Sequence, residues 1–409
     1  MPDAKSKMKK NEKTRRILVK MERKAFEEHL VKNIIPFWNK LVDKENGGFY
    51  GYADADGIPE KDAVKGCILN SRILWFYSAA YHLLKKQQLL EHAEHAFLFL
   101  RNAFFDSRYG GVYWSVQADG TPEDTTKHTY NQAFAIYALS EYYIAGGKKE
   151  ALDLAYSLYR TIEGKCRDAE GYFEAFDRAF MPVSNEKLSE NGVMAERTMN
   201  TLLHVMEAYT ELYRADGFFE VGDSVREILR IFKSKVYDAD KEICRVFFDK
   251  DYNSLISLES YGHDIEASWL IQRTCDVLGD KAYYEEMLPI IKGLADGAYR
   301  NGIDTVNCAM NNESENGVVS AKKVWWVQAE AVTGFYNAYQ LQPEKTNYLG
   351  MYEKIWEYIR NYVIDKKTGE WIENIEPDNT VKAGQALVHP WKCPYHNGRM
   401  CIEMMQRLV

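Results

Sequence analysis

A closed barrel of six helix pairs, (α/α)6, all-α, is the fold this sequence predicts, and three observations predict it. About twelve segments carry apolar residues at the period of an amphipathic helix. Alternate segments are the more apolar and aromatic, and those starting near Gly66, Lys127, Glu196, His263, Val324 and Pro394 recur roughly every 60 to 70 residues, the mark of a repeat. The connectors alternate too, long before the apolar helices and short after them.

Each element follows from its own words. "ERKAFEEHLVKNIIPFWNKL" is the first amphipathic segment. The apolar segments are "GCILNSRILWFYSAAYHLL", "HTYNQAFAIYALSEYYIAGG", "ERTMNTLLHVMEAYTELYRADG", "HDIEASWLIQRTCDVLGD", "VWWVQAEAVTGFYNAYQ" and "YHNGRMCIEMMQRL". Between them lie "LLEHAEHAFLFLRNAFF", "EALDLAYSLYRTIEGK", "DSVREILRIFKSKVY", "YYEEMLPIIKGLADGAYR" and "YLGMYEKIWEYIRNYV". Most long connectors hold aromatic alternation, several with a turn after it, as in "GGFYGYADADG" and "GGVYWSVQADG", which predicts short hairpins at one end of the barrel. An open solenoid is the competing architecture; closure is favoured because no end segment reads as a polar cap. No Pro-, Gly- or Ser-rich linker divides the chain, so residues 22–409 are expected to form one catalytic domain, preceded by a disordered basic extension, 1–21.

The bulk numbers set limits. A net charge of −8 argues against a nucleic-acid binder. Seven cysteines without a CxxC pair read as reduced thiols in a cytoplasmic protein. The N-terminus lacks the apolar run of a signal peptide, and no uninterrupted apolar stretch is long enough to cross a bilayer.

Chemistry is expected at the long-loop end, where the inner helices begin. Their first turns are polar for buried helices: Asn70 and Arg72; His128, Tyr130, Asn131 and Gln132; Asn200, His204 and Glu207; His263, Glu266 and Trp269; Trp325, Trp326, Gln328 and Glu330; Trp391, Tyr395, His396 and Arg399. Singly, each has a structural explanation, since a histidine on an apolar face is usually a hydrogen-bonded core residue. Together they describe one polar pocket with aromatic walls, which is what a sugar site needs.

Three reactions are open to such a pocket. Glycoside hydrolysis needs two carboxyl groups, for which Glu266 and Glu330 are candidates. A metal route would use His263 with Glu266, and His204 with Glu207 has the same spacing. The inventory is richer in histidine, however. His204, His263 and His396 come from three helices, and two imidazoles on opposite sides of a sugar could remove a proton from one face and return it to the other. Glu266 would then orient or charge-stabilise His263, and Arg72 would stabilise the developing enediolate oxygen.

The words "NGGFYGY", "NSRILWFYSAAY", "KHTYNQAFAIYALSEYY", "LSENG", "TMNTLLHVMEAYTELY", "SYGHDIEASWL", "VWWVQAEAV" and "WKCPYHNGRMC" resemble, in order, the cellobiose 2-epimerases of the N-acylglucosamine 2-epimerase superfamily. The resemblance runs from about Phe26 to the C-terminus. It implies an (α/α)6 barrel and epimerisation at C2 of a reducing-end glucose unit, without cofactor or metal. The substrates implied are cellobiose, lactose and β-1,4-mannobiose, with a place in mannan degradation; epilactose is the product from lactose. By the same resemblance His263 and His396 form the acid/base pair and His204 serves ring opening. Arg72, Glu266 and Glu330 assist, and Tyr130, Asn200, Trp269, Trp326 and Trp391 hold the sugar. No nucleic-acid or membrane partner is expected, and the chain is expected to be a monomer or weak dimer. A monosaccharide or N-acylglucosamine 2-epimerase, or a mannose isomerase, is the alternative on this scaffold.

Overall fold

The computed structural model describes residues 19–188 and 191–408. Among them twelve helices alternate between an outer and an inner ring. The inner helices are α2 (Cys67–Leu84), α4 (Thr129–Gly146), α6 (Met199–Asp216), α8 (Tyr261–Leu278), α10 (Trp325–Leu341) and α12 (His396–Arg407). The outer ones are α1 (19–39), α3 (Gln87–Phe99), α5 (Lys149–Lys165), α7 (Phe219–Ile231), α9 (Lys281–Gly302) and α11 (Thr346–Tyr358). Each inner helix packs on the next and α12 returns to α2, so the ring closes into the expected (α/α)6 barrel.

The two rings differ because their burial differs. In α4 every residue from Thr129 to Tyr142 is buried, so the helix has no solvent face and must be apolar nearly all round. In α7 only a stripe that includes Val221, Val225, Ile228 and Leu229 is buried, and its charged residues face water. Four of the six inner helices end in left-handed residues, Lys85 (φ 54°), Gly147 (φ 72°), Gly217 (φ 71°) and Gly279 (φ 64°), which turn the chain at once into the next outer helix.

Two features were not foreseen. Five-residue π-helical turns, Leu30–Ile34, Leu100–Phe104, Phe232–Val236 and Ile359–Val363, lie in α1 and at the ends of α3, α7 and α11. A 3.6-residue period carries no signal for them. Residues Glu196 to Thr198, read as helical, precede α6 instead; Arg197–Thr198 is an extended lead-in.

These lead-ins organise the barrel mouth. Lys65–Gly66 pairs with Ser115–Val116, Lys127–His128 with Ala175–Phe176, and Arg197–Thr198 with Phe247–Phe248. Leu258–Ser260 pairs with Glu313–Glu315 and Lys323–Val324 with Asn374–Ile375; the bridge Ala53 to Val388 joins the last connector to the first. Each connector is thus laced to the next around the whole rim. Each also opens on a tight turn held by an aspartate, Asp43, Asp106, Asp168, Asp238, Asp304 or Asp365, whose carboxylate accepts two backbone N–H groups. Lys65 pairs with Asp43 at 2.7 Å, Lys127 with Asp106 at 3.3 Å, Arg197 with Asp168 at 2.6 Å and Lys323 with Asp304 at 3.0 Å. Lys65 and Asp43 are both fully buried, so removing either partner would strand a charge at a cost of about 3–5 kcal/mol.

Of the expected extension 1–21, residues 1–18 lie outside the described residues, and 19–21 already form the start of α1. Among the described residues no helix is long and apolar enough to cross a membrane.

Candidate active site

The lead-in strands hold the first turns of the inner helices around a cavity of about 380 Å³. From the helices come Arg72 (α2), Tyr130 (α4), Asn200 and His204 (α6), His263 and Glu266 (α8), Trp325 and Trp326 (α10) and His396 (α12); Trp391 enters from the connector before α12. Nine of the eleven residues expected at the site line one cavity, the exceptions being Glu330 and Trp269.

Those two lie behind the wall. Glu330 is 1% exposed; its Oε1 lies 2.7 Å from Nδ1 of His396, and its Oε2 accepts from the Trp269 indole at 3.0 Å. Trp269, also 1% exposed, therefore holds the carboxylate that holds His396 and does not reach the cavity.

Each of the three histidines is tied at Nδ1, leaving Nε2 for a ligand. His204 meets Glu207 at 2.8 Å, His396 meets Glu330 at 2.7 Å and His263 meets Ser260 Oγ at 2.7 Å. The two carboxylates fix Nδ1–H on their rings. The expected pairing of His263 with Glu266 does not form. Glu266 turns instead to Arg399, whose guanidinium gathers Glu207, Glu266 and Glu330. The same three-residue spacing thus gives a bonded pair in α6 and none in α8, where Ser260 occupies the His263 Nδ1 and Glu266 bonds Arg399.

Burial sets the electrostatics. It drives His263 down to about 3 and His396 well below the usual imidazole value, so both rings are neutral bases near neutrality. It lowers His204 as well, with Glu207 pulling the other way. Glu207 is pushed up by burial but held at about 2 by Arg399 and His204. Burial raises Glu330, and burial together with Glu330 raises Glu266. One guanidinium does not offset three carboxylates.

The cavity wall also carries buried polar atoms with no protein partner, Arg72 Nε, Asn200 Oδ1 and Glu266 Oε2. Buried groups of this kind are left for a hydroxyl-rich ligand or water. Arg72 is braced by the Tyr130 hydroxyl at 2.9 Å and lies over the Phe134 ring at 4.2 Å. The His263 and Trp326 rings are 4.8 Å apart, an approach that Gly262 permits, since a Cβ there would stand 2.7 Å from Trp326. Trp391 lies 5.9 Å from Tyr130 and 6.0 Å from Trp114, completing an aromatic side.

Other polar residues of the first turns serve the scaffold. Gln132 and Gln328 bond the backbone of Val112 and Met310, Asn70 bonds the Gly66 carbonyl, and His128 packs on Trp114 at 4.8 Å. Sequence reasoning missed Ser260, although it stands three residues before His263 on the same face. It also missed the rim: Lys187 and Leu188, Asn312 and Glu313, and the pair Glu373–His389 at 3.1 Å. These lie on connectors, where no periodicity marks them.

Glu266, Glu330 and His396 bring ligand-type atoms within 4.8 Å of one another. This differs from the His263–Glu266 set of the metal route. Arg399 donates to both of its carboxylates and already supplies the positive charge there.

The family described as N-acylglucosamine 2-epimerase (GlcNAc 2-epimerase) matches residues 48–396. The chain belongs to the N-acylglucosamine 2-epimerase family. Within that family it is 50% identical to the cellobiose 2-epimerase of Ruminococcus albus over 387 residues, covering 93% of this chain and 98% of the relative. A solved sugar epimerase from a ruminal bacterium superposes with a TM-score of 0.93 at 48% identity, over 95% of this chain and 99% of that one. The cellobiose 2-epimerase of Bacillus thermoamylovorans superposes with a TM-score of 0.90 at 43% identity, over 95% of this chain and 100% of that one.

Proposed function

We propose that this epimerase-family enzyme inverts C2 of the reducing-end glucose of β-1,4-linked disaccharides, converting cellobiose to glucosyl-mannose and lactose to epilactose. One observation carries the reading: three imidazoles from three helices, each oriented through Nδ1, face one aromatic-walled cavity beside Arg72. The names of its close relatives support the substrate class.

The steps follow from the partners. His204, oriented by Glu207, moves the proton that opens the pyranose and exposes the C1 carbonyl. His396 has its Nδ1–H directed at Glu330, so Nε2 presents a lone pair and takes the C2 proton; Glu330 stabilises the imidazolium formed. The C–H electron pair moves through C2–C1 onto O1. The resulting cis-enediolate is held by Arg72 and by the positive ends of the inner helices. Rotation about C2–C3 turns the other face to His263. Its Nδ1 meets a hydroxyl that can donate, so His263 can carry its proton on Nε2 and deliver it to C2. Water accepts the proton from His396 and resupplies His263. In the reverse direction the rings exchange roles. Protonation at C1 instead gives the ketose as a slow side product.

The reading is metal- and cofactor-independent, cytoplasmic, and without a nucleic-acid or membrane partner. Cellobiose with EDTA-treated enzyme in D2O, followed by NMR, tests it. Glucosyl-mannose carrying deuterium at C2 is expected. Product formed only after metal is restored, or free glucose, would overturn it.

A further inference from the structure

Two inner-helix starts, α4 and α10, make the same two-point bond with their fourth residue, and α8 carries a different atom in that place. Gln132 Oε1 accepts the Val112 N–H at 2.7 Å and its Nε2 donates to the Val112 carbonyl at 2.9 Å. Gln328 does the same to Met310, at 2.9 and 2.8 Å. Val112 and Met310 occupy one position in their connectors: each faces the first residue after the outer helix, Phe105 or Ile303, across an antiparallel pair. Cys244 holds that position in the fourth connector, facing Tyr237. The residue at the corresponding place on α8 is Asp264.

Asp264 Oδ1 accepts the Cys244 N–H at 2.7 Å, as the glutamines do. Its Oδ2 is buried without an N–H or O–H donor, the Cys244 thiol being the side-chain group that bonds this carboxyl, and the residue is 1% exposed. The ladder bond next along is made by the neighbours, Arg245 N–H to Val236 carbonyl, as by Tyr113 to Phe104 and Asn311 to Gly302 in the other two connectors. In such a pair the intervening residue turns its N–H and its C=O to the same side, away from its partner. The Cys244 carbonyl therefore points to the side that Asp264 occupies. Two acceptors facing each other require a proton between them.

We infer that Asp264 is a neutral carboxylic acid whose Oδ2–H donates to the Cys244 carbonyl, reproducing the two-point bond of the glutamines and positioning the helix start that carries His263. The charges around it agree. Five residues before Gln132 and Gln328 stand Lys127 and Lys323; five before Asp264 stands Glu259. The titratable groups acting on Asp264 are Glu259 from the lead-in, Cys244 and Tyr237 from the hairpin, and Tyr261 from α8 itself. None is a cation, and among the described residues no basic group lies within ion-pair distance of it; Arg300, on the neighbouring α9, is held by Glu242 at 3.0 Å. Burial raises the carboxyl from 3.8 to about 8.

The sign follows by linkage. The proton is bound in the folded state and lost in the unfolded state between about 4 and 8, so this group's stabilisation is full below that window and declines as pH rises through it. An amide needs no proton. Asp264→Asn should therefore gain on the wild type as pH rises from 5 to 8, widening the Tm difference by a few °C. The consequence for turnover rests on the proposed reaction: Asp264→Asn keeps wild-type kcat at pH 7 and retains it further into alkali, whereas Asp264→Ala loses roughly 10- to 100-fold in kcat with little change in KM. NMR of wild-type protein carrying 13C-labelled aspartate needs no variant, and should show one carboxyl still protonated at pH 6. A pH-independent Tm difference, or no aspartate protonated at pH 6, overturns the protonation, whether or not the enzyme epimerises cellobiose. Asp264→Asn as impaired as Asp264→Ala overturns the positioning role alone.

Discussion

Glu330 Oε1 lies 2.7 Å from Nδ1 of His396, and that one contact assigns the tautomer of a ring facing the cavity. A carboxylate at Nδ1 makes Nε2 the base and stabilises the imidazolium that follows. Glu330→Gln keeps the size of the side chain but removes the charge. Its kcat on cellobiose should fall by about 10²-fold, with KM nearly unchanged. His396→Asn should fall further, by about 10² to 10⁴, with the circular dichroism spectrum unaltered. Activity near wild type in His396→Asn would remove the two-imidazole scheme.

Trp269 offers a sharper distinction. Its indole donates to Glu330 and lies out of the cavity. Trp269→Phe should therefore lower kcat and spare KM for cellobiose. A rise in KM with kcat intact would instead mean that the ring stacks on the sugar.

The acid side of the pH profile follows from burial. With His263 at about 3 and His396 well below its usual value, the free bases persist in mild acid. The acidic limb of kcat/KM should lie below the ordinary imidazole value of about 6.5. The same neutral rings bind fewer protons folded than unfolded, so their share of stability is present above about 6.5 and declines as pH falls toward 3. Initial rates and Tm between pH 4 and 8 check both.

Gly262 supplies a steric test. An alanine Cβ would meet Trp326 and Val327 at 2.7 Å, so the Trp326 ring must move from its seat against His263. Gly262→Ala should destabilise by about 1–3 kcal/mol and raise KM, read by urea unfolding and steady-state kinetics.

Helix number, ring assignment and the location of the site were legible in the sequence because each has a period. The apolar inner helices recur, and nine of the eleven expected residues line the cavity at the starts of those helices or in the connector before α12. The six turn aspartates recur with them, a readable signal of the laced rim. The π turns leave no trace in an apolar pattern, and rim residues such as Lys187 and His389 sit on connectors without one.

By itself the sequence determined the barrel, the ring of polar first turns and the three histidines, because these depend on burial and helical spacing along one segment. Only the tertiary structure decided the partners. His204–Glu207 and His263–Glu266 have identical spacing, yet one is bonded and the other is not: Arg399 from α12 bonds both carboxylates, and the His263 Nδ1 goes to Ser260. Ser260 then serves His263, Glu330 serves His396, and Trp269 stands behind Glu330. Hydrogen bonds among buried charges are settled by competition between helices far apart in the chain, and no local pattern records who wins.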